Sequence, residues 1–142
     1  MSIWRSLQTL AALNAATSGT MVRQLDIVFT EIGEDFIRAT MPVDERTRQP
    51  YGLLHGGASV ALAETLGSTG ANMCVDPSRY RCLGQEINAN HVRSARHGLV
   101  TGTARPLHIG GASQVWSIDI ANAAGQLVCV SRLTMAVLRR SC

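Results

Sequence analysis

The chain is poor in charge. Of its 142 residues 16% are Asp, Glu, Lys or Arg, against about a quarter in an average domain, as expected where neighbouring subunits cover part of the surface. Thirteen basic against ten acidic residues leave a net charge of +3, too small and too scattered for a nucleic-acid partner. Basic residues gather locally between Arg79 and Arg105, which suits a small polyanionic ligand better than a polymer. No apolar run approaches the roughly 20 residues of a membrane span, and the N-terminus lacks the apolar core and cleavage pattern of a secretory leader. A cytoplasmic protein with no membrane contact is expected. The four cysteines, Cys74, Cys82, Cys129 and Cys142, show no C-x-x-C spacing, and His55, His91, His97 and His108 do not cluster. Neither a metal site nor a disulfide framework is expected, and the cysteines read as three core fillers and a loose terminus.

What is present concentrates in Gly52 to Asn72, GLLHGGASVALAETLGSTGAN. Gly56-Gly57 permits a tight turn after His55, and Ala58, Ala61, Leu62 and Ala63 then favour a helix. The first amides of such a helix lack internal partners and carry the positive end of its dipole, a ready site for an oxyanion or a phosphate. Glu64 is the single acid of this helix, with Ser68 and Asn72 at i+4 and i+8 on the same face. A carboxylate in so apolar a helix lies at an exposed edge or serves chemistry. Ala63, Gly67, Gly70 and Ala71 form a stripe with little bulk, which another backbone can approach closely.

The rest of the chain frames this helix. Ser6 to Ala15 has helical spacing at Leu7, Leu10, Leu13 and Asn14, and Thr17 to Thr20 ends it. Leu25 to Glu31 and Phe36 to Val43 read as a hairpin through Gly33-Glu34-Asp35. The polar loop between Pro42 and Pro50 delivers Gln49 just before the central stretch. Strands are expected over Tyr80 to Val92, Leu99 to Leu107, Gln114 to Ala121 and Gln126 to Leu138, with turns at residues 96–98, 109–111 and 123–125. Val115, Ser117 and Asp119 alternate with Trp116, Ile118 and Ile120, giving one wet and one dry face. The pattern predicts a single α+β domain over 1–142, with a sheet of about six mostly antiparallel strands curled over one long helix. Trp4 and Trp116 read as packing residues.

The segments QPYGLLHGGASVALAETLGS, EINANHVRSAR, PLHIG and SRLTMAVL resemble the hotdog-fold acyl-CoA thioesterases of the 4-hydroxybenzoyl-CoA thioesterase and phenylacetate-pathway group. The resemblance runs from about Met21 to Leu138. It implies that Glu64 is nucleophile or general base and that the Gly56 amide polarises the thioester carbonyl. It further implies that Gln49 and His55 orient substrate and loop, and that Ser68 supports the acyl or water position. For the CoA moiety it implies Gly84, then His91, Val92, Arg93 and Ser94, then His108, Ile109, Gly110, Gly111, Ala112 and Ser113. In that last turn relatives often carry a basic or bulkier residue, and the small residues here depart from the pattern. No cofactor is implied beyond CoA as part of substrate and product. A homodimer with shared sites, assembled into a tetramer, and acyl-carrier-protein substrates are further implications.

These residues suit thioester chemistry. The carbonyl oxygen gains negative charge under attack, and a fixed N–H aimed at it is worth roughly 3 to 4 kcal/mol. A carboxylate can attack directly or activate water. CoA thiolate leaves readily, so no strong general acid is needed. Glu64 stands eight residues beyond Gly56, about 12 Å along a helix axis, and projects sideways while the free amides point along the axis. One helix is poorly placed to offer both groups to one carbonyl. Two antiparallel helices across a two-fold axis can pair the acid of one with the Gly-Gly turn of the other, an approach of helix to helix that the low-bulk stripe would permit, so an active site shared across an obligate dimer is expected.

Plainer readings stand beside these. Ser68 can satisfy a helix carbonyl, Gln49 can be a solvated loop residue, and Arg93 and Arg96 can be a solvated strand end. Ser59 falls short of a nucleophile elbow because the last Gly is missing and no strand precedes it. At the level of function the alternatives are a non-catalytic acyl-CoA binding module and a hotdog hydratase, whose acid and base would be placed differently.

Overall fold

The computed structural model describes residues 1–141, and Cys142 with its expected loose terminus lies outside them. The elements in order are α1 (Leu10–Ala15), α2 (Met21–Gln24), β1 (Val28–Ile32), β2 (Ile37–Pro42), α3 (Gly56–Met73), β3 (Tyr80–His91), β4 (Leu99–Ile109), β5 (Ser113–Ala121) and β6 (Leu127–Arg139). The six strands form one sheet in the order β1-β2-β4-β5-β6-β3, and every pairing is antiparallel. This is the expected α+β hotdog architecture, with α3 packed against the sheet. Strand bounds fall within a few residues of expectation. The N-terminal helix is shorter than Ser6 to Ala15, and α2 is an extra turn that the pattern did not reveal.

The dry face of the sheet meets α3. Trp116, Ile118, Ile120, Leu133 and Met135 are fully buried opposite Leu62, Ala63, Leu66 and Ala71. The low-bulk stripe of α3 is consumed in this contact, which corrects the expectation that it admits a second helix. A Cβ at Gly67 would lie 2.6 Å from Leu133 Cδ2, and one at Gly70 would lie 2.8 Å from the Trp116 ring. The glycines let the helix sit on its own sheet. Trp116 is held by its indole N–H, which donates to Gln114 Oε1 at 2.9 Å, and Trp4 stacks near it at 6.3 Å between centroids. Both tryptophans are packing residues, as expected.

Strand β3 is the long edge. It pairs with β6 along one side only. Its start is clipped to α3 by Asn72, whose side chain donates to Cys82 O at 3.1 Å and accepts from Cys82 N at 2.9 Å. Gly84 and His91 both lie on this strand.

Candidate functional site

The first turn of α3 is capped in an unusual way. His55 is the N-cap, with φ −66° and ψ 131°, and its Nδ1 accepts from Gly57 N at 2.7 Å. Its carbonyl accepts from Ala58 N and Ser59 N, while its own N–H is tied to Thr47 O at 2.7 Å. Three of the four leading amides are thereby satisfied. The Gly56 N–H has no partner among the described residues, so one donor is left at the positive end of the helix. The His91 ring covers this turn, since a Cβ at Gly56 would lie 2.7 Å from Nε2.

Gln49 approaches the same place. The loop from Asp44 to Leu54 is pinned by buried Thr47, whose hydroxyl donates to Pro42 O, and Gln49 N donates to Leu53 O. Gln49 Oε1 accepts from Tyr51 N, leaving its NH2 group without a partner among the described residues. Gln49, Gly56, Ser59, His91, Arg93 and Ser94 border one depression of about 370 Å³.

Glu64 lies two turns along α3, half-buried, with no ion pair or hydrogen bond among the described residues. Its carboxylate lies against Gly84 of β3, where any Cβ would overlap Oε1. Glu64 and Ser68 border a second depression of about 360 Å³, to which Gly56 contributes nothing. Within one chain, then, the acid and the free amide open onto separate places, in agreement with the helix geometry. Thr65 and Thr69 on the same helix donate their hydroxyls to Ala61 O and Thr65 O. Ser68 does not donate to a helix carbonyl, which removes its plainer reading and leaves a hydroxyl beside Glu64.

The residues implied for CoA divide between two ends of the sheet. His91 pairs with Cys129, Cys129 with Ile120, and Ile120 with Gly102. Gly84 pairs with Met135, Met135 with Gln114, and Gln114 with Ile109. The two rows are six residues apart along β5 and β6 and seven along the bulged β3 and β4, or about 20 Å. Val92, Arg93 and Ser94 follow the end of β3, so Arg93 and Arg96 sit in a loop and not on the strand end expected for them. Their guanidinium groups make no ion pair among the described residues. His108, Ile109, Gly110, Gly111, Ala112 and Ser113 form the opposite β4–β5 hairpin, where Ile109, Gly110 and Gly111 border a depression of about 320 Å³ with Arg5 and Arg79.

Two features escaped the sequence. Met21 and Val22 of α2 wall the Glu64 depression; Thr20 as N-cap, with Val22 and Leu25 turned toward the core, was the available signal. The contact of His91 with Gly56 joins residues far apart in the chain and had none. Among the described residues no group of His, Cys, Asp and Glu side chains could hold a metal. No helix is long and apolar enough to cross a membrane. Burial pushes the Cys74 thiol up to about 12, with the nearby Cys82 thiol adding to it, and burial also raises Cys82 and Cys129.

Comparison with known proteins identifies the family. Residues 51–129 match the family profile described as Thioesterase superfamily. The chain is 56% identical over 136 residues to the 1,4-dihydroxy-2-naphthoyl-CoA hydrolase of Escherichia coli, covering 96% of this chain and 99% of that protein. It is 51% identical over 136 residues to the proofreading thioesterase EntH of Cronobacter sakazakii, covering 96% and 98%. The crystal structure of a mutant thioesterase from Pseudomonas aeruginosa superposes with a TM-score of 0.96 at 47% identity, covering 98% of this chain and all of the other. A thioesterase from Haemophilus influenzae gives 0.94 at 48% identity, covering 96% and 95%. The chain belongs to the thioesterase superfamily.

Proposed function

We propose that the chain hydrolyses aromatic and related acyl-CoA thioesters, with Glu64 of one protomer acting on a carbonyl held by the Gly56 amide of another. The observation that carries this reading is the pair of unspent groups, a free helix-start N–H and an unpaired carboxylate. Each touches a different end of the same unpaired edge strand, Gly56 through His91 and Glu64 through Gly84.

Pairing β3 with its copy supplies the missing geometry. In an antiparallel pair about a two-fold axis centred between Ile87 and Asn88, Gly84 stands opposite His91 of the partner subunit. The two strands then lie about 5 Å apart. Glu64 of one chain and the free amide of the other thereby approach one carbonyl twice per dimer. A long unpaired edge is a liability that such pairing removes. It also carries the His108–Ser113 hairpin of one protomer to the end at which the other presents His91 to Ser94. The divided CoA set becomes continuous, with Arg93 free for a phosphate. A tetramer formed as a dimer of dimers would use the outer face of the sheet.

The steps follow from the groups. The carbonyl oxygen accepts from Gly56 N–H, which stabilises the charge that develops there. His55 fixes that turn through Gly57, and Gln49 offers an amide donor beside it. The Glu64 carboxylate either attacks the carbonyl carbon, giving an anhydride that water then cleaves, or takes a proton from a water that attacks. In both cases the carbon–sulfur bond breaks and CoA leaves as thiolate. Ser68, one turn beyond Glu64, positions acyl group or water. The chain contains no lysine, and its described cysteines are buried, so neither residue type competes with the carboxylate. Buried unpaired cysteines also fit a reducing, cytoplasmic location.

The test is thiol release from benzoyl-CoA, 1,4-dihydroxy-2-naphthoyl-CoA and a medium-chain acyl-CoA, with an aryl thioester on a carrier protein alongside. Turnover that falls at least 100-fold in Glu64→Ala is expected. Undiminished turnover in that variant would remove the mechanism, and binding without turnover in the wild type would indicate a non-catalytic module.

A further inference from the structure

Among the described residues five polar side chains are buried: Thr17, Thr47, Ser59, Gln114 and Ser131. Four of them have partners. Thr17 donates to Asn14 O, Thr47 to Pro42 O and Ser131 to Asn88 O, while Gln114 donates to Ala71 O and accepts from the Trp116 indole. Ser59 is only 1% exposed, yet its hydroxyl makes no hydrogen bond among the described residues. No fully enclosed side-chain oxygen or nitrogen is left unpartnered, so the little exposure that Ser59 keeps lies at Oγ. That atom faces the depression bordered by Gly56, Gln49 and His91.

The cap of α3 explains why the hydroxyl is unspent. Thr65 and Thr69 turn theirs back to the carbonyl four residues earlier. For Ser59 that carbonyl is His55 O, which already accepts from Ala58 N at 3.0 Å and Ser59 N at 3.2 Å, filling both lone pairs. Ser59 stands three residues beyond Gly56 on the same face of the helix, and a helical side chain leans over the turn that precedes it. The hydroxyl and the unpaired Gly56 N–H therefore open onto one mouth. Two unspent donors at the positive end of a helix suit a ligand oxygen with two lone pairs.

We propose that Ser59 is a second donor to the thioester carbonyl oxygen, which it holds together with the Gly56 N–H. The identity of that oxygen rests on the thioesterase reading above. The serine keeps its proton throughout: no bond forms to it and none of its bonds breaks. The electron pair pushed onto the carbonyl oxygen under attack is stabilised by both donors, and it returns to the carbon as the carbon–sulfur bond breaks. Both donors come from one protomer and stand on the half of the site opposite Glu64.

Ser59→Ala removes one oxygen without adding bulk, and Ser59→Cys keeps a weaker donor of similar size. In thiol release from benzoyl-CoA, kcat should fall at least tenfold in Ser59→Ala and less in Ser59→Cys. KM should stay within about threefold, and inhibition by CoA, which lacks the thioester carbonyl, within about twofold. The unfolding midpoint of Ser59→Ala should hold or rise, because the free protein has no partner for this hydroxyl to lose. Infrared spectroscopy of benzoyl-CoA isotope-labelled at the carbonyl, bound to Glu64→Ala protein, reads the hydrogen bond itself. Binding should lower the carbonyl stretch, and part of that lowering should vanish in the Glu64→Ala/Ser59→Ala double variant. A folded Ser59→Ala enzyme with wild-type kcat, or a stretch indifferent to Ser59, would overturn the proposal. So would a lowered midpoint with kcat and CoA inhibition impaired alike, the mark of a structural serine. If wild type releases no thiol from any thioester yet the stretch depends on Ser59, the donor stands and the catalytic reading falls.

Discussion

Replacing Gly84 by alanine puts a methyl group where the Glu64 carboxylate now lies. The overlap is with Oε1, the far end of a flexible side chain, so the fold can keep its backbone while the carboxylate withdraws by about 1 Å to reach ordinary contact distance. A displacement of about 1 Å at a reacting group costs on the order of 100-fold, which is about 2.7 kcal/mol of barrier. Gly84→Ala should therefore lower kcat/KM about 100-fold in thiol release from benzoyl-CoA. The unfolding midpoint should move little, because the group that must shift is the end of the Glu64 side chain and Gly84 already lies at a bulge. Gly84 is also implied in CoA contact, and a double-mutant cycle separates the two causes. If the methyl acts through Glu64, the substitution should add almost nothing in a Glu64→Ala background. A folded Gly84→Ala enzyme with wild-type kcat/KM, or a loss of the same size in both backgrounds, would refute the reasoning.

Gly56→Pro removes the free N–H at a position where proline suits the first helical residue, and His55 already has the extended backbone that a pre-proline residue adopts. Its kcat should fall about 100- to 1,000-fold with the helix content unchanged by circular dichroism. Gly70→Ala should destabilise by about 1 kcal/mol in urea unfolding, because the new methyl meets the locked Trp116 ring and overpacking outweighs the helix-propensity gain. Gly67→Ala overlaps Leu133 Cδ2, the end of a side chain that can turn, and meets Ile118 Cδ1 at ordinary contact distance, so it should cost less than Gly70→Ala. The raised Cys74 pKa means that the folded state holds its proton more tightly than the unfolded chain does. Stability from this group is complete below its unfolded value and is lost as pH rises from 9.0 towards about 12. Urea midpoints between pH 8 and 10.5 should accordingly fall less steeply in Cys74→Ala than in wild type. In a Cys142→Ser protein at pH 8, iodoacetamide should label Cys74, Cys82 and Cys129 only after unfolding, as read by intact mass.

Much of the fold was legible because strand and helix patterns agreed with it. The alternation of Trp116, Ile118 and Ile120 against Ser117 and Asp119 placed one face of β5 inward, and both faces lie as expected. The Gly56-Gly57 start of α3 was readable from two glycines and a run of helix formers. What was not legible depends on distant neighbours. The glycines of α3 announced a close approach, but only the sheet says that Trp116 and Leu133 fill it. The Ser68, Thr65 and Thr69 hydroxyls look alike in sequence, yet two are turned back on their helix and one is not. The extra turn at Met21 escaped because four residues are too few for periodicity to register.

The central claim is that the Glu64 carboxylate and the Gly56 amide of each site come from different protomers. It is tested most directly by subunit exchange between a Glu64→Ala protein and a Gly56→Pro protein, each inactive alone. After exchange verified by mass spectrometry of differently tagged chains, half of the dimers are mixed and each restores one site, so about one quarter of wild-type activity should return. If verified exchange restores no thiol release, the two groups act within one chain or do not act together, and the account is contradicted.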